Sequence, residues 1–164
     1  MQASKTLYHC TSEQNQISIQ RNGFRCGSSG LAGGGIYLAE TAEDAMRKAH
    51  QRGVVLKCEV ELGKVHKLGF HGDESLHGSR LKGMGCDSVS IARNGTEYCV
   101  YEPHRVRVVQ VQDEKLLDLQ RSEKEHIKML PQDKVRIQQI YERKKAQLKE
   151  EKEKPKRKFS NNEY

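Results

Sequence analysis

Three consecutive glycines, Gly33-Gly34-Gly35, run directly into the apolar segment Ile36-Tyr37-Leu38, and this junction constrains the chain more than any other stretch. Glycine supplies no side chain to a core and loses the most backbone entropy on ordering. A run of three suits a backbone that must approach another group closely. Ile36, Tyr37 and Leu38 are β-branched, aromatic and apolar and read as a strand. Tyr37 is therefore held at a fixed angle beside whatever the bare backbone touches. A tight loop ahead of an ordinary core strand fits the same pattern, and the glycines alone do not separate the two.

Hydrophobic residues make up 35% of the 164 and charged residues 31%, which is lean for a compact fold and implies that part of the chain lies outside a core. The apolar residues concentrate before about residue 112. The reading is a globular domain over 1–112 and a charged, basic extension over 113–164, helical or disordered. Cys10, Cys26, Cys58, Cys86 and Cys99 form an odd set without a C-x-x-C pair. That spacing suggests neither a disulfide framework nor a zinc site, and it fits free thiols in a reducing compartment. No charged-then-apolar leader and no bilayer-length apolar run occur, so the expectation is a soluble intracellular protein with no membrane partner. The net charge of +7 permits contact with nucleic acid, whereas few aromatics and no Trp argue against a stacking platform for single strands.

Lys5 to Cys10 reads as a first strand. Thr11 and Ser12 then offer helix N-caps, Glu13 sits in the first turn, and Asn22-Gly23 closes a helix over Glu13 to about Arg21. After Leu38, Thr41 caps a second helix whose core face is Ala42, Ala45, Met46 and Ala49, ended by Gly53. Val54 to Leu62 reads as a half-buried strand and Val65 to Leu68 as a short one. Gly69 to Gly85 lacks periodicity and reads as a surface loop, with His71, Asp73 and His77 solvated rather than metal ligands. Asp87 to Ala92 is a strand, Asn94-Gly95 a tight turn, Glu97 to Tyr101 the returning strand, and Arg105 to Val111 the last of the domain. Many short strands with two short helices favour an α+β fold on a mainly antiparallel sheet. Beyond it, Pro131 separates two helical stretches, one with Leu116, Leu117, Leu119, Ile127 and Leu130, the other with Val135, Ile137, Ile140, Tyr141 and Leu148. Lys154-Pro155-Lys156-Arg157-Lys158 is a basic cluster of the nuclear-import kind; a basic tail with no address function has the same composition.

His9, Tyr37 and Glu97 each lie at a strand end beside a turn or loop. Together they resemble the His-Tyr-Glu signature of the poly(ADP-ribose) polymerase-like ADP-ribosyltransferases. Leu7-Tyr8-His9-Cys10-Thr11-Ser12 is similar to that family's strand with His-Gly-Thr/Ser, and Asn22-Gly23-Phe24 to its helix stop. Gly35-Ile36-Tyr37-Leu38-Ala39 is similar to its Gly-Ile-Tyr-Phe-Ala, and Glu97-Tyr98-Cys99-Val100-Tyr101 to its Glu-Tyr-x-Val-Tyr. Order and spacing agree over roughly residues 5 to 111.

The resemblance implies a split antiparallel sheet, NAD as substrate, no metal, and transfer of single ADP-ribose units to a protein or nucleic-acid acceptor with release of nicotinamide. Cleaving the glycosidic bond builds oxocarbenium character on the ribose, and a carboxylate beside it stabilises that charge, the role implied for Glu97. Tyr37 would wall the nicotinamide ring and His9 would bond the adenosine ribose. The Cys10 backbone would hold the nicotinamide amide, and Thr11, Gly35 and Ala45 complete the NAD-contacting positions. Where the family usually has Gly after the His, Cys10 stands. Ala45 replaces a serine that many members use on the nicotinamide carbonyl, and Lys48, with His50 two residues on, stands where a second stacking tyrosine is usual. Those losses are worth about 1 to 3 kcal/mol in NAD affinity. They motivate the competing expectation, a catalytically weak or inactive interaction module working through the basic extension, in the cytoplasm or the nucleus.

Overall fold

The computed structural model describes residues 4–113, 115, 117, 122 and 134–153. The chain divides into two units, 1–114 and 115–164. In the first, the strands are β1 (Ser4–Thr11), β2 (Ile36–Ala39), β3 (Val54–Glu61), β4 (Val65–Leu68), β5 (Ser88–Ala92), β6 (Thr96–Val100) and β7 (Val106–Asp113). Three helices accompany them, α1 (Glu13–Asn22), α2 (Ala42–Lys48) and α3 (Gly78–Gly83), with a 3-10 turn over Pro103–Arg105. The strands form one open, seven-stranded sheet in the order β4-β5-β6-β2-β1-β3-β7. All described pairs are antiparallel except β4 with β5. The architecture is thus α+β, as the element order predicts.

Both faces of the central strands are covered, and strand alternation divides the apolar residues between them. Ile36, Leu38 and Val100 join Leu7, Leu56, Val60 and Phe24 in one core. Their neighbours Tyr37 and Cys99 turn to the second, with Val89, Ile91, Leu76 and Leu81. Leu7 and Leu56 are wholly buried, each contributing about 1.5 to 3 kcal/mol.

Local signals place the helix starts. The Ser12 hydroxyl accepts from the Asn15 amide at 3.2 Å, and the Thr41 hydroxyl from the Asp44 amide at 3.1 Å. Gly23, at φ 78°, donates its amide to the Ile19 carbonyl at 2.8 Å and closes α1. Three expectations are corrected. Helix α2 stops at Lys48, because Ala49 is already extended at ψ 136°, and the connection to Gly53 is irregular. Residues 69–85 are not wholly loop: α3 lies within them, capped by the His77 imidazole, which accepts from the Arg80 amide at 3.3 Å, and anchored by buried Leu81. A six-residue helix with one buried residue carries no readable period. In β7 the alternation is broken by a register shift opposite Lys57 and Cys58, which leaves Val109 without a pair in the ladder, and Arg105 belongs to the 3-10 turn instead.

In the second unit, α4 covers Lys134–Glu153 and includes Ile140, Tyr141 and Leu148; its described side chains are exposed or half-exposed. Leu116, Leu119, Ile127, Leu130, Pro131 and the cluster Lys154, Lys156, Arg157, Lys158 lie outside the described residues. Among the described residues, no helix is long and apolar enough to cross a membrane.

Candidate active site

The middle of the sheet is where its strands are least firmly joined. β1 pairs with β3 along eight residues, from Ser4–Glu61 to Thr11–Val54, but meets β2 at one pair, Tyr8 with Ala39. At this seam His9 replaces the missing ladder: its Nδ1 lies 2.8 Å from the Tyr37 carbonyl oxygen. A carbonyl only accepts, so Nδ1 carries the proton and Nε2 is left as an acceptor. Phe24 packs edge-on against the ring at 5.4 Å. Burial pushes the imidazole below its ordinary value, against the opposing pull of the Tyr37 carbonyl, so His9 is held neutral.

This has a consequence for stability. The unfolded chain protonates His9 near pH 6.5, at a higher pH than the folded one. Its contribution is present in full above that pH and is lost as the pH falls toward the lower folded value. In denaturant titrations, acidification from pH 7.5 to 5.5 is expected to destabilise the native protein more than a His9→Phe variant. Parallel loss in the two would remove His9 as the titrating group.

Tyr37 is fixed by the loop before it. Its hydroxyl accepts from the Ala32 amide at 2.9 Å and donates to the Gly33 carbonyl at 2.5 Å, while Tyr101 donates to the Ala32 carbonyl. Burial pushes the Tyr37 phenol well above its ordinary value. The glycine run has its explanation here: a β-carbon on Gly33 would strike the Leu76 carbonyl, one on Gly34 the Gly27 carbonyl, and one on Gly35 the Cys99 sulfur. Close passage of the chain over itself accounts for all three glycines without a ligand.

Glu97 opposes Ala39 in the β2–β6 ladder and Cys99 opposes Tyr37, so Glu97 and Tyr37 share one face of the sheet. By the same alternation Tyr8, opposite Ala39, lies on that face and His9 on the other, beside Phe24; His9 reaches the Tyr37 strand through the Tyr37 main-chain carbonyl. The hairpin carrying Glu97 turns at Asn94 and Gly95, both at positive φ (44° and 93°), and is fastened to α2. Arg47 of α2 donates to the Asn94 carbonyl at 2.5 Å and pairs with Asp44. That docking sets Lys48 beside Glu97, with Nζ 3.9 Å from Oε2, both side chains largely buried (17% and 15% exposed). The distance is too long for a hydrogen bond, and among the described residues the buried ammonium has no hydrogen-bond partner. Burial raises the Glu97 carboxyl above its ordinary value, while Lys48, Arg93 and His50 pull it down less strongly.

The remaining positions are buried scaffold. Cys10 and Thr11, at the end of β1, are buried, the Cys10 sulfur lying 3.9 Å from the Gln51 carbonyl, so its side chain has found room. Ala45 is buried on α2 beside Met46. Asp73 accepts from Ser75 and pairs with Arg80 at 3.7 Å, and among the described residues no group of three acidic, His or Cys side chains could hold a metal. Sequence reasoning missed the Lys48–Glu97 pair and the charge of Arg93 near it. The docking of α2 against the hairpin reveals the pair, whereas Arg93 lies in the turn of the same hairpin as Glu97.

The fold defines an α+β protein with a mixed open sheet and half-buried polar side chains on its central strands. No protein-family model matches the chain, and no curated protein matches it.

Proposed function

We propose that the seam around His9, Tyr37 and Glu97 is the site of an NAD-dependent ADP-ribosyltransferase that adds single ADP-ribose units to a protein or nucleic-acid acceptor. The observation that carries this reading is the placement of the three residues on adjacent central strands, with a neutral His9 bonded to the Tyr37 backbone and a half-buried Glu97 on the Tyr37 face. The His9 Nε2 lone pair suits a ribose hydroxyl donor. The Tyr37 ring, locked by its hydroxyl, suits a planar base. A Glu97 carboxylate, drawn out of water, stabilises positive charge on a ribose strongly. NAD supplies a ribose whose bond to nicotinamide breaks with the electron pair leaving on the base, so that the acceptor takes the sugar and gives up a proton. The test is incubation of the full chain with NAD labelled in its adenylate part, alone and with cell lysate. Label on protein or nucleic acid with equimolar free nicotinamide supports the reading, and label without nicotinamide release rejects it.

A second reading is favoured by Lys48, whose ammonium faces the carboxylate that the transfer needs. In it, the domain is a catalytically weak module and the extension carries the function. Because Asp113 pairs with Val54 in the sheet, the informative truncation begins at Lys115. It is expected to abolish cellular function while Glu97→Gln does not; the reverse result returns the function to the seam.

A further inference from the structure

We infer that Lys48 and Glu97 form a clamp for a sugar hydroxyl, so that the site takes an ADP-ribosyl group with a free anomeric hydroxyl in preference to oxidised NAD. The inference rests on the reading of the seam as a site for an ADP-ribosyl dinucleotide. Its physical basis is an unsatisfied pair. Among the described residues, the buried Lys48 ammonium has no hydrogen-bond partner and stands 3.9 Å from the half-buried Glu97 carboxylate, a costly arrangement for the ammonium unless something supplies the missing bonds.

A hydroxyl has the needed valence: it donates to Glu97 and accepts from Lys48, its oxygen lying about 2.8 Å from each. The anomeric hydroxyl of ADP-ribose is such a group. Oxidised NAD carries a pyridinium at that carbon instead, with a positive charge and no hydroxyl. Lys48 already offsets the carboxylate there, and Arg93 and His50 also act on it. A cationic ring therefore meets a centre whose negative charge is already answered, while a neutral hydroxyl meets both partners. Lys48 thereby determines which form of the dinucleotide the site prefers.

The test is calorimetric titration of the full chain with ADP-ribose and with oxidised NAD, in the native protein and in Lys48→Gln. The expected result is that ADP-ribose binds the native protein at least about tenfold more tightly than NAD, and that Lys48→Gln narrows the ratio to within about threefold. Equal or tighter NAD binding by the native protein overturns the inference and leaves the dinucleotide site standing. A preference for ADP-ribose that persists unchanged in Lys48→Gln overturns the role of Lys48. Binding of neither ligand to the native protein overturns the dinucleotide reading itself, and the inference with it.

Discussion

On the proposed function, Glu97→Gln is expected to lower nicotinamide release by about 10² to 10³-fold while leaving NAD affinity within a few-fold. The magnitude is that of removing one preorganised electrostatic partner of a transition state. The amide keeps the shape of the side chain on β6 opposite Ala39 and removes the charge that a developing oxocarbenium needs. NAD affinity is expected to change little because, on the proposed function, the ground-state contacts fall to other groups, His9 and Tyr37 among them. The measurement is single-turnover release of labelled nicotinamide, with calorimetry on the same preparations. Unchanged turnover would exclude Glu97 from the chemistry, and loss of turnover together with loss of binding would make it a binding residue instead.

Gly33→Ala destabilises the domain by about 3 kcal/mol or more. Gly33 sits at φ 69°, and a β-carbon there would collide with the Leu76 main-chain carbonyl, a backbone atom with no rotamer to yield. Left-handed backbone alone costs an alanine about 1 to 2 kcal/mol, and the collision adds to it. Gly33 also offers its carbonyl to the Tyr37 hydroxyl at 2.5 Å, so displacement of this segment frees the ring as well. Gly69→Ala is the control: nothing lies within 4 Å of its added β-carbon, and its effect should stay within about 0.5 kcal/mol. Urea denaturation of the two variants measures the contrast. Equal midpoints would mean that the loop relaxes around the new methyl group.

What the sequence made legible was local. Ser12 and Thr41 cap helices because a short hydroxyl side chain reaches an amide three residues on. Asn94-Gly95 turns because these residues tolerate positive φ. The placement of His9, Tyr37 and Glu97 on adjacent strands was legible through motif spacing. What stayed hidden depends on registers and docking that no window of sequence contains. Nothing around Lys48 indicates that its ammonium faces Glu97, 49 positions away, because that follows from Arg47 reaching Asn94. The glycine run was legible as a demand for close approach, but not as an approach to the Leu76, Gly27 and Cys99 segments of the same chain. Helix α3 escaped because its cap is an imidazole and its apolar content a single leucine.

The seam itself carries a mechanical consequence. One backbone pair, the His9 imidazole and the Lys5 ammonium, which donates to Glu40 at 2.6 Å and to the Tyr98 hydroxyl at 2.7 Å, join the half containing β4, β5, β6 and β2 to the half containing β1, β3 and β7. Each half is stiffened by its own continuous ladders, so bending strain collects along the line between them. A dinucleotide bound as proposed, touching His9 on β1 and Glu97 on β6, is expected to act as a splint across that line and to stiffen the sheet.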